Sequence, residues 1–184
     1  MKKYSKRERQ KLLKENLNKN PLLTDKELAD RFNVSIQTIR LDRLELGIPE
    51  LRERTRSAAS AYARLKSVNE GEVIGELLKL KLDKSAESIL ETTEDMALQR
   101  SKIIRGHYLF AQANSLAVAT VDAKSVLTGT ADLKFHQKVH IGDKIVAKAE
   151  VKTRDGRKYI IKVNSYHGDK LVFSGDFIMF IEKR

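Results

Sequence analysis

Apolar positions along this chain fall into three successive rhythms. From residue 6 to about 46 they recur every three or four positions: Leu12, Leu13 and Leu17, then Leu28, Ala29 and Phe32, then Val34 and Ile39. That period predicts short helices with one buried face. The first runs from about Lys6 to Asn18 and ends before Asn20-Pro21, because the residue ahead of a proline is pushed out of helical geometry. Thr24 or Asp25 caps the second, with Glu27 an acid in its first turn. Asn33 suits a tight turn, Ser35 caps a third helix running through Leu46, and Gly47 is a natural stop.

Over residues 49–66 the spacing becomes heptad-like. Leu51, Thr55, Ala58, Tyr62 and Leu65 form one stripe, with arginines mostly off it. This predicts a linker helix opening at Pro49. Its stripe either pairs with a twin in a dimer or docks on the next domain.

Beyond residue 70 the pattern switches to strands. Glu72–Leu82 and Ser88–Glu91 come first, then the long apolar segment Ile103–Val121. Four further runs follow at about Ser125–His136, Lys144–Thr153, Tyr159–His167 and Leu171–Ile181. Asp155-Gly156 and Gly168-Asp169 between alternating runs mark hairpins. The expected fold is α+β: two strands, one buried helix, then an antiparallel meander. The segment from His107 to Ala119 has very few charges, and a helix apolar nearly all round is wrapped by other structure. The layout resembles the hotdog fold. Domains of that fold commonly dimerise and bind acyl-thioesters of coenzyme A near the N-terminus of the helix. Expected domains are 1–48, helical; 49–69, linker helix; and 70–184, sheet around a helix.

Charge sharpens the reading of the first part. Residues 1–66 hold 17 Lys and Arg against 9 Asp and Glu, so +8 of the total +11 lies there. A basic block of that size fits a polyanion partner, although a solvated basic face that binds nothing has the same composition. Two helices joined by a short turn inside such a block make a helix-turn-helix. The stretch Leu28 to Arg40 resembles that of several bacterial repressor families, in which Val-Ser followed by Thr-Ile-Arg is common. Ser35, Gln37, Thr38, Arg40 and Arg43 are the expected DNA contacts.

Other chemistry is limited. The chain has no Cys, which excludes a disulfide scaffold and a thiol nucleophile. His107, His136, His140 and His167 are scattered, without metal-ligand spacing, and Ser115 lacks a Gly-x-Ser-x-Gly context. No cofactor is expected. The basic N-terminus is not followed by an apolar run, and no stretch of 18 apolar residues exists, so a cytoplasmic protein with no membrane partner is expected.

Ile104-Arg105-Gly106-His107 falls where thioesterases of the hotdog fold often carry a His-Gly-Gly-like turn. Gly106 would let a ligand carbonyl approach a backbone N–H at a helix start. Eight residues on, such enzymes tend to carry an acid. Here stands Asn114, which can hydrogen-bond a carbonyl but cannot act as a nucleophile or general base. It is either a ligand contact or a structural amide. Arg105 either clamps a carboxylate or caps its loop.

As a whole, the chain closely resembles the FapR family, bacterial repressors of fatty-acid and phospholipid synthesis genes that sense malonyl-CoA. The most specific stretches are Ser35–Leu46, Ile48–Arg54 and Arg105–Ala117. The resemblance implies a homodimer bound to double-stranded operator DNA with an inverted repeat, released when malonyl-CoA binds and the linker helix is reordered. It places Arg105 on the malonyl carboxylate and Gly106 and Asn114 on the acyl group. Leu98, where the family can have an aromatic, and Leu127 would line the pocket, while Leu51, Tyr62 and Leu65 form the moving linker stripe. The competing reading is an acyl-CoA thioesterase with an appended DNA-binding domain.

Overall fold

Ser5, Thr24 and Ser35 each close the extended backbone ahead of a helix and turn a side-chain oxygen onto its first turn. The computed structural model, which describes residues 4–21, 23–51, 63–68 and 70–182, divides into two compact units, residues 1–57 and 58–184. In the first unit, α1 (Lys6–Lys19) and α2 (Asp25–Phe32) both open with capping boxes. Thr24, not Asp25, caps α2: its Oγ1 accepts from Glu27 N–H at 3.1 Å, and the Glu27 carboxylate accepts from Thr24 N–H at 2.7 Å. Asn33 ends α2 in the left-handed region at φ 52°. α3 (Ile36–Glu45) starts on Ser35, whose Oγ accepts from Thr38 N–H at 3.1 Å. Leu13, Leu17, Leu23, Leu28, Ala29, Phe32 and Ile39 fill the core between the three helices. The expected linker helix lies largely outside the described residues, Tyr62 included. Leu51 is half-buried, and Leu65 is half-buried against the core of the second unit.

The second unit has six strands among the described residues: β1 (Glu76–Lys81), β2 (Ser85–Glu91), β3 (Val126–Phe135), β4 (Lys144–Asp155), β5 (Lys158–His167) and β6 (Lys170–Ile181). All neighbours are antiparallel, in the order β1-β2-β4-β5-β6-β3. Gly156 and Gly168, at φ 55° and 59°, make the two tight turns of β4-β5-β6. The meander is therefore three strands long, not the expected four. β3 pairs with β6 at the far edge, three strand spacings from β4, roughly 14 Å. Residues 136–143 connect the two, and eight residues reach up to about 26 Å, enough to cross the end of the sheet.

The sheet wraps α4 (Gly106–Thr120). Leu109, Ala113, Leu116 and Ala117 pack on Leu77, Ile145, Ile161 and Phe177. Small residues along α4 let the strands approach, and its one long buried polar side chain is half satisfied: Gln112 Nε2 donates to Ser88 Oγ at 3.2 Å and to the Ile145 carbonyl at 3.1 Å, while its Oε1 has no hydrogen-bond partner among the described residues. Beyond the C-terminal end of α4, a polar knot joins distant turns. Asp83 accepts from Asp122 N–H at 2.8 Å, Tyr159 Oη at 3.1 Å and Arg154 Nη1 at 2.6 Å. Burial first, and the hydrogen bond to Asp83 second, push the Tyr159 hydroxyl up to about 12. The chain entering this unit is held at the same end: Ser67 Oγ donates to the Val118 carbonyl at 2.8 Å, and Lys66 pairs with Asp122 at 2.6 Å.

Candidate functional site

Two surfaces gather the residues singled out by the sequence. On α3, Ile39 is buried, and three and four positions later so are Asp42 and Arg43. The inner face of this helix thus ends in charges, each fixed to a different neighbour. Asp42 takes Arg9 of α1 in a fork (2.5 and 3.2 Å) and Gln10 at 3.3 Å. Arg43, only 2% exposed, takes Asp25 at the start of α2 in a second fork (2.7 and 2.8 Å), and its Nη1 donates to the Ile48 carbonyl at 3.1 Å. Arg43 is therefore not a DNA contact as expected: its guanidinium is enclosed and its donors point inward. Arg40, three residues earlier, is outside, 56% exposed, and among the described residues its one ion pair is a long 3.7 Å approach to Asp25. Ser35 and Gln37 are exposed, and Thr38 is half-buried with its hydroxyl 2.9 Å from Ser35 Oγ. At the end of α3, hydrogen bonds from Lys6 and Gln10 (both 2.7 Å) hold the Glu45 carboxyl below its ordinary range.

The second surface lies around the start of α4. No side chain caps this helix. Arg105, at the N-cap position, folds its side chain back onto the short turn Glu94–Met96. Nε donates to the Met96 carbonyl at 3.3 Å, and Nη2 donates to the Asp95 carbonyl and to Tyr108 Oη at 3.1 Å. The guanidinium also lies 5.2 Å from the Tyr108 ring centre. All these acceptors are neutral, and among the described residues no carboxylate pairs with Arg105. It borders a cavity of about 740 Å³, together with Leu98, Gln99, Lys102, Glu94 and Asp95. Glu94 is neutralised by Lys102 at 2.9 Å.

Gly106 opens instead on a neighbouring cavity of about 370 Å³, lined also by Ile104, Leu109, Phe135, His136 and Lys138. A Cβ at Gly106 would stand 2.8 Å from the Phe135 ring, so the glycine makes room for an aromatic that the sequence reading did not include. Asn114 lies two turns further along α4, about 12 Å away. It is half-buried, and its Oδ1 accepts from Thr128 Oγ1 at 2.7 Å. Leu127, beside Thr128 on β3, is exposed, and so is Leu98. Within one copy, then, Arg105 and Leu98 share a cavity, Gly106 adjoins it, and Asn114 and Leu127 lie along the helix and strand beyond. Tyr108 and the carbonyls of Asp95 and Met96 are the partners that sequence reasoning missed. Only Tyr108, three positions from Arg105, was within reach of a spacing argument.

Transcription factor FapR of Bacillus subtilis (strain 168) is 50% identical to the chain over 183 residues, covering 97% of each. Transcription factor FapR of Thermoanaerobacter sp. (strain X514) is 49% identical over 187 residues, 98% of this chain and 94% of its own. The chain belongs to the FapR family of transcription factors. No protein-family model matches it. An uncharacterized protein from Pyrococcus horikoshii superposes with a TM-score of 0.61 at 28% identity, over 66% of this chain and 92% of its own. A sigma28-regulated virulence protein from Campylobacter jejuni does so with 0.65 at 20% identity, over 70% and 92%. A mutant of the phenylacetic acid degradation protein PaaI from Thermus thermophilus reaches 0.55 at 20% identity, over 59% and 95%. These neighbours share the hotdog fold, and the sheet around α4 in this FapR-family chain is that fold.

Proposed function

We propose that the chain represses fatty-acid and phospholipid biosynthesis genes and is released from their operators by malonyl-CoA. In this reading it is a cytoplasmic homodimer. Two α3 helices read an inverted repeat in double-stranded DNA, because a two-fold protein matches a two-fold site. β3 supports the pairing of copies: it has a hydrogen-bonded neighbour on one side only and is exposed along nearly its whole length.

The observation that carries the effector is Arg105. Its guanidinium stands at the start of a buried helix, on the wall of a cavity, held by neutral acceptors. A positive group so placed favours an acyl group that ends in a carboxylate over one that does not. Asn114 supplies an amide where hydrolysis would need an acid, so the domain binds without turnover.

The test is a DNA mobility shift on the protein's own promoter, with malonyl-CoA, acetyl-CoA and free CoA in separate lanes. Release by malonyl-CoA alone is expected. Release by all three would remove the role given to Arg105. Steady appearance of free thiol from any acyl-CoA would favour the thioesterase reading.

A further inference from the structure

The outward face of α3 is apolar where a DNA-reading surface is usually polar. With Ile39, Asp42 and Arg43 turned inward, helical geometry puts Gln37, Leu41 and Leu44 at the centre of the opposite face. Leu41 is 53% exposed and Leu44 is 73% exposed, the highest among the large apolar side chains of the described residues. Arg40 flanks this face, and Ile36, three positions before Ile39, belongs to the other side of the helix.

We propose that Leu41, extended by Leu44, reads thymine by its 5-methyl group, with Gln37 one turn earlier reading the adjacent adenine. The inference rests on α3 being the DNA-reading helix. The occupant follows from what surrounds the strip. A net charge of +8 over residues 1–66 and the exposed Arg40 beside it match a polyanion rather than an apolar protein face. The thymine methyl is the apolar group that the major groove offers to a side chain, and a glutamine amide pairs with the N6 and N7 edge of adenine. Side chains four apart on a helix are neighbours, so Gln37 and Leu41 can meet consecutive bases. Arg40 at the flank then falls to a phosphate, which positions the helix without selecting sequence.

The test uses the full-length protein. A preferred duplex is selected from a random pool, and each thymine in one half-site is replaced by deoxyuridine, which removes a single methyl. Binding is read by fluorescence anisotropy at fixed salt. One or two positions per half-site are expected to lose about three- to tenfold in affinity, the scale of one buried methyl, and Leu41→Ala should erase the loss at one of them. If no preferred duplex emerges, α3 is not a sequence reader and the function proposed above fails with it. If a preferred duplex emerges and every deoxyuridine is neutral in the wild type, the methyl inference alone is overturned, and the strip belongs to another copy or another protein. If Leu41→Ala keeps the full deoxyuridine loss, Leu41 is not the contact. Should Leu41→Ala fail to fold, the wild-type scan decides by itself.

Discussion

Helices α3 and α4 solve opposite problems. α3 is a ten-residue surface helix, and local chemistry closes it: Ser35 at the start and two charges turned inward to pin it to α1 and α2. α4 has fifteen residues, no charge and no side-chain cap, and the sheet holds it. The difference lies in where each helix places its polar groups. α3 uses an arginine and an aspartate to fix its place and leaves leucines outside. α4 uses leucines and alanines to fix its place and leaves an arginine at its open end. A charge on a helix can therefore be a pin or be left free of any carboxylate, and residue type alone does not distinguish the two.

The sharpest way to break that contrast is Arg43→Ala. It leaves Asp25 without the partner that compensates its partial burial and should destabilise the helical unit by about 3–5 kcal/mol. Native-state hydrogen exchange of the α1–α3 amides measures this separately from the sheet. Loss of DNA affinity with unchanged exchange would return Arg43 to the groove.

Next in size is Arg105→Ala. Malonyl-CoA and acetyl-CoA differ by one carboxylate, so a charge-assisted pair predicts a loss of roughly 1.5–3 kcal/mol for the first and little for the second. Titration calorimetry with both thioesters measures it. Equal binding of malonyl-CoA to wild type and variant would make Arg105 a loop cap, as Arg43 is a helix pin.

A third test touches only the sheet unit. Tyr159 keeps its proton longer when folded than when unfolded, so between pH 10 and about 12 the unfolded state holds fewer protons. Stability is full below pH 10 and falls as pH rises through that window, by up to ~2 kcal/mol. Tyr159→Phe should flatten this limb in urea titrations. An unchanged limb would mean that neither burial nor the hydrogen bond to Asp83 holds the proton on Tyr159.

The smallest stability effect belongs to Arg40→Ala. Its exposed, distant approach to Asp25 should be worth less than about 0.5 kcal/mol to folding. Operator affinity should still fall, about tenfold, a shift of ~1.4 kcal/mol. Stability lost in place of affinity would erase the distinction between Arg40 and Arg43.

Much of this was legible in the residues. The caps at Thr24 and Ser35, the turn at Asn33 and the glycine turns of β4-β5-β6 follow from local chemistry that neighbours do not override. The burial of Arg43 was readable in principle: positions 42 and 43 stand three and four residues after Ile39, on its face. Their polarity pointed outward and their phase inward, and phase prevailed because each charge found an opposite charge on another helix. The placement of β3 needed the length of its connection to β4 as well as the strand pattern. At the candidate site, Arg105 stood out as a cation beside an apolar helix. Its partners did not, since the carbonyls of Asp95 and Met96 reach it only through the return of a loop. Neither did the room Gly106 leaves for Phe135, which joins positions 29 residues apart.

Fifteen residues make α4 a rod of about 22 Å. Arg105 stands at one tip, and Ser67 and Lys66 are fastened at the other, through Val118 and Asp122. With eight of those fifteen residues buried under the sheet, the rod is held along its length, and its two tips keep their separation. The chain entering the sheet unit is thus tied to the far end of the same element whose near end Arg105 occupies.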